Sequence, residues 1–327
     1  MNLSSMLNEP LHMRKVLANG WHYYEWSRAA YPYPCDEREQ DRLVYLNIML
    51  YYKVDSPAWL HHATLPRVNG KVRVLDVLCG GGWWAQRLAE LNPAYEVVGI
   101  DIVGHQPAVG YNREPNVDFI VPVDCMSDNW GVRPASFQLI HVGLAVGRVA
   151  DYPAFYRNIF RHVAPGGHVE LAEIDWRPRY DVEDPKPYED AAALHEWWTN
   201  MREATRQHGH PIEYRQDTGE LLEQAGFTDI RHIERRVQLF VPQWLDVVVH
   251  ETSRDFRLAM GDADAKPWSG MSMELFTRFR GYNPGLVDHL DAKLVAAMNR
   301  SGSPFYFNVH IWTARKPGTQ RPMTQAR

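Results

Sequence analysis

The chain of 327 residues is poor in cysteine, and it has no run of basic residues. Its three cysteines (Cys35, Cys79 and Cys125) lie far apart and form no C-x-x-C pair, which argues against a disulfide framework and fits a reducing compartment. The formal net charge is −5, so neither nucleic acid nor an anionic membrane surface is expected as the main partner.

Long hydrophobic runs and metal-ligand motifs are also missing. No apolar run approaches the ~18 residues of a transmembrane helix, and the N-terminal MNLSSMLNEP lacks the basic-then-apolar layout of a signal peptide. We therefore expect a cytoplasmic protein without a membrane partner. His61-His62 and His208-x-His210 have no companion ligand at a recognised spacing, and H-E-x-x-H does not occur, so we predict no metal site.

The most informative segment is residues 71–101, KVRVLDVLCGGGWWAQRLAELNPAYEVVGID. It opens with an apolar run, Val72–Leu78, whose β-branched and leucine side chains are typical of a strand buried on both faces. At Gly80-Gly81-Gly82 the chain can turn with positive φ, and a ligand can approach the backbone closely. Such a turn after a buried strand is either a ligand-binding loop or a purely structural turn.

The second half of this segment favours ligand binding. A helical pattern places Trp84, Leu88 and Leu91 on one face, and Glu96–Ile100 is a second buried strand with Asp101 at its carboxyl end. The turn brings backbone N–H groups and the positive end of a helix to a ligand. An acid about 20 positions later can accept both hydroxyls of a ribose. This βαβ unit therefore predicts a nucleoside-containing cofactor.

Residues 1–66 precede this unit and have a pattern of their own. Leucine, isoleucine, methionine and tyrosine side chains recur between about Asp36 and Val54 and predict a long amphipathic helix. A YPYP entrance precedes that helix. Its tyrosines, Tyr31 and Tyr33, either pack at the helix start or cover a cofactor pocket.

Segments with strand and helix patterns alternate beyond Asp101. They are strands at Val117–Val123, Phe137–Val142 and His168–Ile174, a helix at Tyr152–Val163, and a tight turn at Ala164–Gly167. Later segments are helices at Tyr188–His208, Asp217–Ala225, Pro242–Met260 and Met271–Asn299, the last interrupted at Gly281 and Pro284, and strands at Thr228–Leu239 and Pro304–Ala314. The alternation predicts an α/β fold with a parallel, doubly wound sheet.

Several of these segments resemble one family, the class I S-adenosylmethionine (SAM)-dependent methyltransferases, and within it the fungal LaeA-like group. The likeness covers nearly the whole chain, from YPYPCDEREQDRL and VRVLDVLCGGGWWA to ADYPAFYRNIFRHVAPGGHVEL and FYFNVHIWTARKP. An acid inside the first strand, Asp76, and the proline-glycine-glycine turn before the fifth strand separate this resemblance from a nicotinamide dehydrogenase.

The resemblance implies a Rossmann-like, seven-stranded sheet whose last strand is antiparallel. It divides the chain into an N-terminal helical lid segment at 1–66, a methyltransferase-fold domain at 67–320 and a disordered tail at 321–327. Further lid helices are expected as insertions at about 180–210 and 242–300.

The same resemblance assigns a cofactor site position by position. The implied cofactor-binding residues are Tyr33, Asp76, Gly80, Gly82, Asp101, Ile102, Asp124, Cys125 and His141. Asp101 would hold the ribose, and the position that meets the adenine edge is Asp124 in one alignment and Cys125 in the other. The first glycine of the family's D-x-G-x-G-x-G is Leu78 here, so a branched side chain stands where the backbone normally comes close to the cofactor.

Three side chains are candidates for the base that methyl transfer requires when the acceptor carries a proton. His141, near the end of the fourth strand, comes first because imidazole titrates near neutral pH. Glu173 and Asp175, at the end of the fifth strand, come second. Each also fits a structural role, His141 as a hydrogen-bonded strand end and the two acids as solvated loop residues.

We therefore expect an enzyme of fungal secondary metabolism that transfers a methyl group from SAM to a small natural product. The 12 tryptophans and 16 tyrosines favour an apolar or aromatic substrate. Two alternatives stay open. The fold could catalyse a cyclisation or pericyclic (Diels–Alder-type) rearrangement with SAM non-reactive or absent, or the chain could be a LaeA-like regulatory protein that acts through partners.

Overall fold

A seven-stranded mixed sheet dominates the computed structural model, which describes residues 14–25, 31–50, 60–103, 114–181, 189–238, 260–300 and 304–318. The strands in these ranges are β1 (Lys15–Ala18), β2 (Trp21–Tyr24), β3 (Val72–Val77), β4 (Tyr95–Ile100), β5 (Val117–Ile120), β6 (Phe137–Gly143), β7 (Val163–Tyr180), β8 (Thr228–Gln238) and β9 (Phe305–Arg315). The helices are α1 (Glu37–Ile48), α2 (Trp83–Leu91), α3 (Tyr152–His162), α4 (Glu189–His208), α5 (Thr218–Gln224), α6 (Pro267–Phe279) and α7 (Pro284–Met298).

The sheet has the strand order β5-β4-β3-β6-β7-β9-β8. Strand β3 pairs in parallel with both β4 and β6, whereas β9 pairs antiparallel with both β7 and β8. These pairings confirm the predicted doubly wound, Rossmann-like sheet with an antiparallel last strand. The chain runs outward from β3 through β4 to β5 and then returns to β6, so the strand order reverses between β3 and β6. Open α/β sheets bind ligands at such a point, outside the carboxyl ends of the strands.

The predicted βαβ unit folds as β3, α2 and β4. Gly82 is the N-cap of α2 with a φ of +78°, and Trp84 and Leu88 of this helix are buried. Leu91, predicted on the same helix face as these two residues, is 37% exposed. Leu91 is the last helical residue, and Asn92 ends the helix one position later by donating its side-chain amide to the Leu88 carbonyl.

Two strand boundaries differ from the sequence prediction. Strand β5 ends at Ile120 instead of Val123, just ahead of Pro122, whose nitrogen cannot donate to a sheet ladder. The predicted turn at Ala164–Gly167 lies instead within the first residues of β7, where pairing with β6 shifts register. Gly166 has a φ of +79°, a conformation that favours glycine.

The N-terminal segment contains a β-hairpin, β1–β2, that the sequence analysis missed. Asn19 and Gly20 both have positive φ (53° and 81°), as a type I′ turn requires, and Asn-Gly between strand-like residues is a strong hairpin signal. The Asp36 carboxylate accepts the backbone N–H of His22 at 2.7 Å, which joins the hairpin to the start of α1. The end of the predicted helix, towards Val54, lies outside the described residues.

Helices α4, α6 and α7 pack on one another, and two tryptophan rings form the contact between α4 and α6. The Trp197 ring meets Trp268 edge-on at 4.7 Å, and its indole N–H donates to the Ser272 hydroxyl at 2.9 Å. The predicted helix Pro242–Met260, except for its last residue, and the tail 321–327 lie outside the described residues, and the predicted domain boundaries stay predictions. Within the described ranges, no helix is both long and apolar enough to cross a membrane.

Candidate active site

A cavity lies at the carboxyl ends of β3, β4 and β6, where the strand order reverses. Its lining includes the β3 end and the glycine loop (Asp76, Leu78, Gly80, Gly81), the residues after β4 and β5 (Asp101, Ile102, Asp124, Cys125, Met126), and His141 of β6. Side chains from α1 and the segment before it line its other side (Tyr31, Gln40, Leu43, Val44, Asn47). The sheet therefore gathers most of the predicted cofactor residues around one space.

The glycine loop has the left-handed backbone that its sequence indicated. Gly80 and Gly82 have φ values of +53° and +78°. Leu78 also has a positive φ, +62°, which costs an L-residue with a side chain roughly 1–2 kcal/mol relative to the right-handed conformation. Gly82 is required for a second reason, since a Cβ there would lie 2.6 Å from the Phe119 ring. Gly82 therefore packs beneath the cavity, whereas Gly80 lines it.

Asp101 connects the end of β4 to this loop. Its two carboxylate oxygens accept backbone N–H groups of Gly80 at 2.8 Å and Val103 at 2.9 Å. Burial raises the pKa of Asp101, and the two backbone hydrogen bonds oppose that effect. A carboxylate has about four acceptor positions, so these two bonds leave capacity for further donors from the cavity. Ile102 follows and lines the cavity beside it.

Asp124 and Cys125 both line the cavity, so the two alignments for the adenine position stay open. The Asp124 side chain is exposed, and its carboxylate accepts the backbone N–H of Met126 at 2.8 Å. The Cys125 side chain is buried, and burial raises its thiol pKa to about 12, so it is a neutral thiol at physiological pH.

His141 and Asp76 form a hydrogen-bonded pair on the cavity floor. They lie opposite each other in the β3–β6 ladder, and His141 Nδ1 is 2.6 Å from Asp76 Oδ1. The Trp84 ring stacks on the imidazole with a centroid distance of 3.7 Å, which fixes the plane of the ring. Burial raises the pKa of Asp76, while His141 opposes that effect. Asp76 Oδ2 is buried and has no hydrogen-bond partner among the described residues.

The other candidate bases, Glu173 and Asp175, are not among the residues that line this cavity. The Glu173 carboxylate accepts the backbone N–H groups of Ala145 and Val146, at 2.9 and 3.1 Å, and burial raises its pKa to about 7. The Asp175 carboxylate accepts a hydrogen bond from the Arg179 guanidinium at 2.5 Å. Both acids are buried, unlike the solvated loop acids that the sequence analysis considered, and Glu173 holds the segment directly after β6.

A second, smaller cavity adjoins the first and shares Leu43, Leu144 and Arg148 with it. Its remaining lining is mostly apolar or aromatic: Tyr33, Arg42, Leu46, Val146, Trp176, Ile212 and Met271. Tyr33, which the resemblance assigned to the cofactor, lies here and donates its hydroxyl to the Gly147 carbonyl at 3.3 Å. Tyr31 lines the larger cavity, and the two tyrosine rings meet edge-on at 5.2 Å.

Arg148 is a site residue that the sequence analysis missed. It follows β6, lines both cavities, and lies 5.9 and 5.4 Å from the ring centroids of Tyr31 and Tyr33. Its guanidinium donates to the Leu144 carbonyl, and within the described ranges it makes no ion pair with a carboxylate. By contrast, Arg42 donates from Nε and Nη2 to the two carboxylate oxygens of Glu39. No sequence pattern distinguishes Arg148 from an ordinary loop arginine.

Comparison with known proteins identifies the family to which this fold and site belong. A family model described as a methyltransferase domain matches residues 43–232. The secondary metabolism regulator laeA of Aspergillus flavus is 33% identical over 302 residues, covering 91% of this chain and 77% of the relative. The regulator LAE1 of Cochliobolus heterostrophus is 33% identical over 96% of this chain and 99% of the relative. A protein-methionine methyltransferase laeA of Emericella nidulans is 32% identical over 91% and 76%, respectively.

A glycine loop and a strand-end acid at the switch point of a doubly wound sheet define a nucleoside-cofactor enzyme. The chain belongs to the class I methyltransferase family and, within it, to the LaeA-like group. It is thus a SAM-dependent methyltransferase.

Proposed function

We propose that this methyltransferase acts on a small apolar or aromatic natural product in secondary metabolism. The observation that carries the proposal is the pair of adjoining cavities. The larger one has the glycine loop and Asp101, whereas the smaller one is lined mainly by apolar and aromatic side chains and opens beside Leu144 and Arg148. The relatives named as regulators of secondary metabolism support the biological setting.

The residues around the larger cavity fit SAM. Asp101 retains acceptor capacity for the ribose hydroxyls, and the exposed Asp124 carboxylate or the Cys125 backbone would meet the adenine edge. The orphaned Oδ2 of Asp76 would accept the ammonium group of the methionine part. When bound, SAM supplies an electrophilic methyl group on a sulfonium.

His141 is the proposed base, and Asp76 is its positioning residue. With Nδ1–H donated to Asp76, the neutral imidazole has its lone pair on Nε2, which can take a proton from a phenol, an enol or an amine. The Trp84 stack holds the ring in this orientation. The apolar Leu43 and Val44 side chains line the cavity on the α1 side and would help to shield an in-line displacement from water.

Arg148 narrows the class of acceptor. The part-buried Arg148 guanidinium lies where the two cavities meet and makes no carboxylate ion pair among the described residues, although Glu39 and Asp101 act on it at longer range. It is therefore placed to pair with a ligand that brings negative charge. Tyr31 and Tyr33 beside it offer ring faces to an apolar skeleton. An apolar or aromatic acid is therefore the preferred acceptor, with Arg148 as its anchor.

A direct assay tests the proposal against its alternatives. Purified protein is incubated with candidate aromatic and polyketide-type acids in the presence of SAM, without SAM, or with its demethylated product. We expect a product heavier by one CH₂ group that forms only with SAM. An isomer of unchanged mass formed without SAM would overturn methyl transfer in favour of a cyclisation or pericyclic reaction.

A second candidate acceptor is a protein methionine, because one relative is named for that activity. The same assay with methyl-labelled SAM separates the two acceptors. Label in the small-molecule fraction supports the primary proposal, whereas label retained in the acid-precipitated protein, at a stoichiometry near one per chain, supports the second.

A further inference from the structure

Three side chains with metal-binding atoms meet on neighbouring strands, outside the two cavities. His232 and Glu234 belong to β8 and His310 belongs to β9, where the ladder places Glu234 directly opposite His310. Ligand atoms of all three lie within 4.8 Å of one another. We propose that they bind a divalent transition-metal ion such as Zn²⁺, as a site independent of the methyl-transfer chemistry.

The distances between the ligand atoms suit one small ion. Zn²⁺ bonds of about 2.0–2.1 Å in a tetrahedral arrangement place neighbouring ligand atoms about 3.3 Å apart. His232 Nε2 is 2.9 Å from His310 Nδ1, and His310 Nδ1 is 3.8 Å from Glu234 Oε2. Both distances are within about 0.5 Å of the required value, and the remaining pair, His232 and Glu234, has ligand atoms within 4.8 Å of each other.

Aromatic stacking holds both imidazole planes in place before an ion arrives. Tyr214 stacks on His310 at 3.9 Å with an interplanar angle of 9°, and Trp312 stacks on His232 at 4.0 Å with an angle of 10°. The Trp312 indole N–H donates to the Tyr214 hydroxyl at 2.7 Å, which connects the two stacking partners. Pre-oriented ligands lose little conformational entropy on binding, and this raises affinity.

The surroundings of the carboxylate ligand and the access from solvent also suit a bound ion. The Glu234 carboxylate accepts the side-chain amide of Asn308, an arrangement that commonly orients ligating carboxylates. His232 and Glu234 are exposed, so an ion and a water as fourth ligand can reach the site from solvent.

No metal site was predicted, because recognised metal-ligand motifs have their ligands at short spacings in the sequence. His232 and Glu234 are two residues apart, but His310 enters from a strand 76 residues later. Only the antiparallel β8–β9 pairing brings the third ligand to the other two. A pattern of one histidine and one glutamate at alternate strand positions is too common to indicate a metal by itself.

The test uses the untagged full-length chain, freed of metal with a chelator, and titrates it with ZnCl₂ alone by calorimetry. We expect one Zn²⁺ per chain, with affinity reduced on the order of 100-fold in His232→Ala and about 10-fold in Glu234→Gln. Both positions are exposed, so the variants should keep the wild-type circular dichroism. Co²⁺ gives a second readout, because a tetrahedral site produces visible absorption bands that His232→Ala should abolish.

Two matched substitutions show whether binding belongs to this cluster. His22→Ala removes an exposed histidine next to a carboxylate, that of Asp36. His208→Ala removes a histidine next to a second imidazole, since the Nδ1 atoms of His208 and His210 are 3.0 Å apart. We expect both variants to bind Zn²⁺ as the wild type does. Absence of Zn²⁺ binding by the wild type, or unchanged binding by His232→Ala, would overturn the proposal.

Discussion

The imidazole of His141 and the carboxylate of Asp76 share a hydrogen bond of 2.6 Å beneath the active-site cavity, and both residues are almost fully buried. They are direct partners in the β3–β6 ladder, so the sheet itself sets their separation. An imidazole held in one tautomer by a buried acid is suited to accept a proton on its other nitrogen.

Replacement of His141 tests this role. His141→Gln keeps a polar side chain next to Asp76 but removes the base, so we expect kcat to fall about 10²–10⁴-fold while SAM affinity changes little. Asp76→Asn should lower kcat as well, because it disturbs the tautomer of His141. Steady-state kinetics and SAM calorimetry on each variant provide the measurement. A His141→Gln variant with wild-type kcat on a phenolic acceptor would assign the pair a purely structural role.

Asp101 should carry much of the cofactor affinity. Asp101→Asn leaves one good acceptor instead of two, so we expect SAM binding to weaken by about 1–3 kcal/mol. Calorimetry measures the change, and Asp128→Asn, at an exposed position, is the control that should leave affinity unchanged. Unchanged affinity in a folded Asp101→Asn variant would contradict the ribose role.

Leu78 has a positive φ that glycine adopts without strain. Leu78→Ala and Leu78→Gly lose almost the same side chain, so comparing them isolates the backbone conformation. Because only glycine adopts this φ without strain, we expect the Leu78→Gly variant to be more stable than the Leu78→Ala variant by about 1 kcal/mol. The free energies of unfolding are measured by urea denaturation. We also expect Leu78→Gly to keep or tighten SAM binding. Damage to turnover without tighter SAM binding would instead favour a repurposed fold in which Leu78 shapes a reactant pocket.

Arg148 should act on the acceptor and not on the cofactor. Arg148→Gln removes the charge, so we expect the KM of an acidic acceptor to rise roughly 10–100-fold, with a smaller rise in Arg148→Lys. A neutral ester or amide of the same acceptor should respond to neither change. If the SAM dissociation constant rises instead and the acceptor KM does not, the guanidinium pairs with the carboxylate of the cofactor.

Glu173 predicts a pH dependence of stability. Its pKa is raised from an ordinary value of 4.5 to about 7, mainly by burial, so the folded state binds more protons than the unfolded state between these values. The contribution of Glu173 to the free energy of unfolding is therefore fully present below about pH 4.5. It falls by up to about 3 kcal/mol as the pH rises through about 7. Urea denaturation between pH 5 and 8 should show a fall in wild-type stability that is smaller in Glu173→Gln. Parallel pH profiles for the two proteins would contradict this.

The local sequence predicted most of the sheet. Buried parallel strands have continuous apolar sequences, and a glycine turn followed by a strand-end acid is typical of a βαβ unit that binds a nucleoside. The β3–α2–β4 unit is confirmed, and Asp101 lies directly after β4 as expected, while its role in cofactor binding stays a prediction. The antiparallel last strand, which the family resemblance implied, is also confirmed. The β1–β2 hairpin was also encoded locally, in Asn19-Gly20, although it was not recognised.

The tertiary structure decided everything that depends on contacts between distant segments. Asp76 and His141 are 65 residues apart, Glu173 turns its carboxylate to Ala145 and Val146, and His310 meets β8 only through strand pairing. Side-chain periodicity specifies which face of its own element a residue occupies, but not which group faces it from another element. Sequence alone thus determined the glycine loop and the strand-end acid that mark the candidate cofactor site. Packing determined which acids are buried, which arginine makes no carboxylate ion pair among the described residues, and which histidines meet.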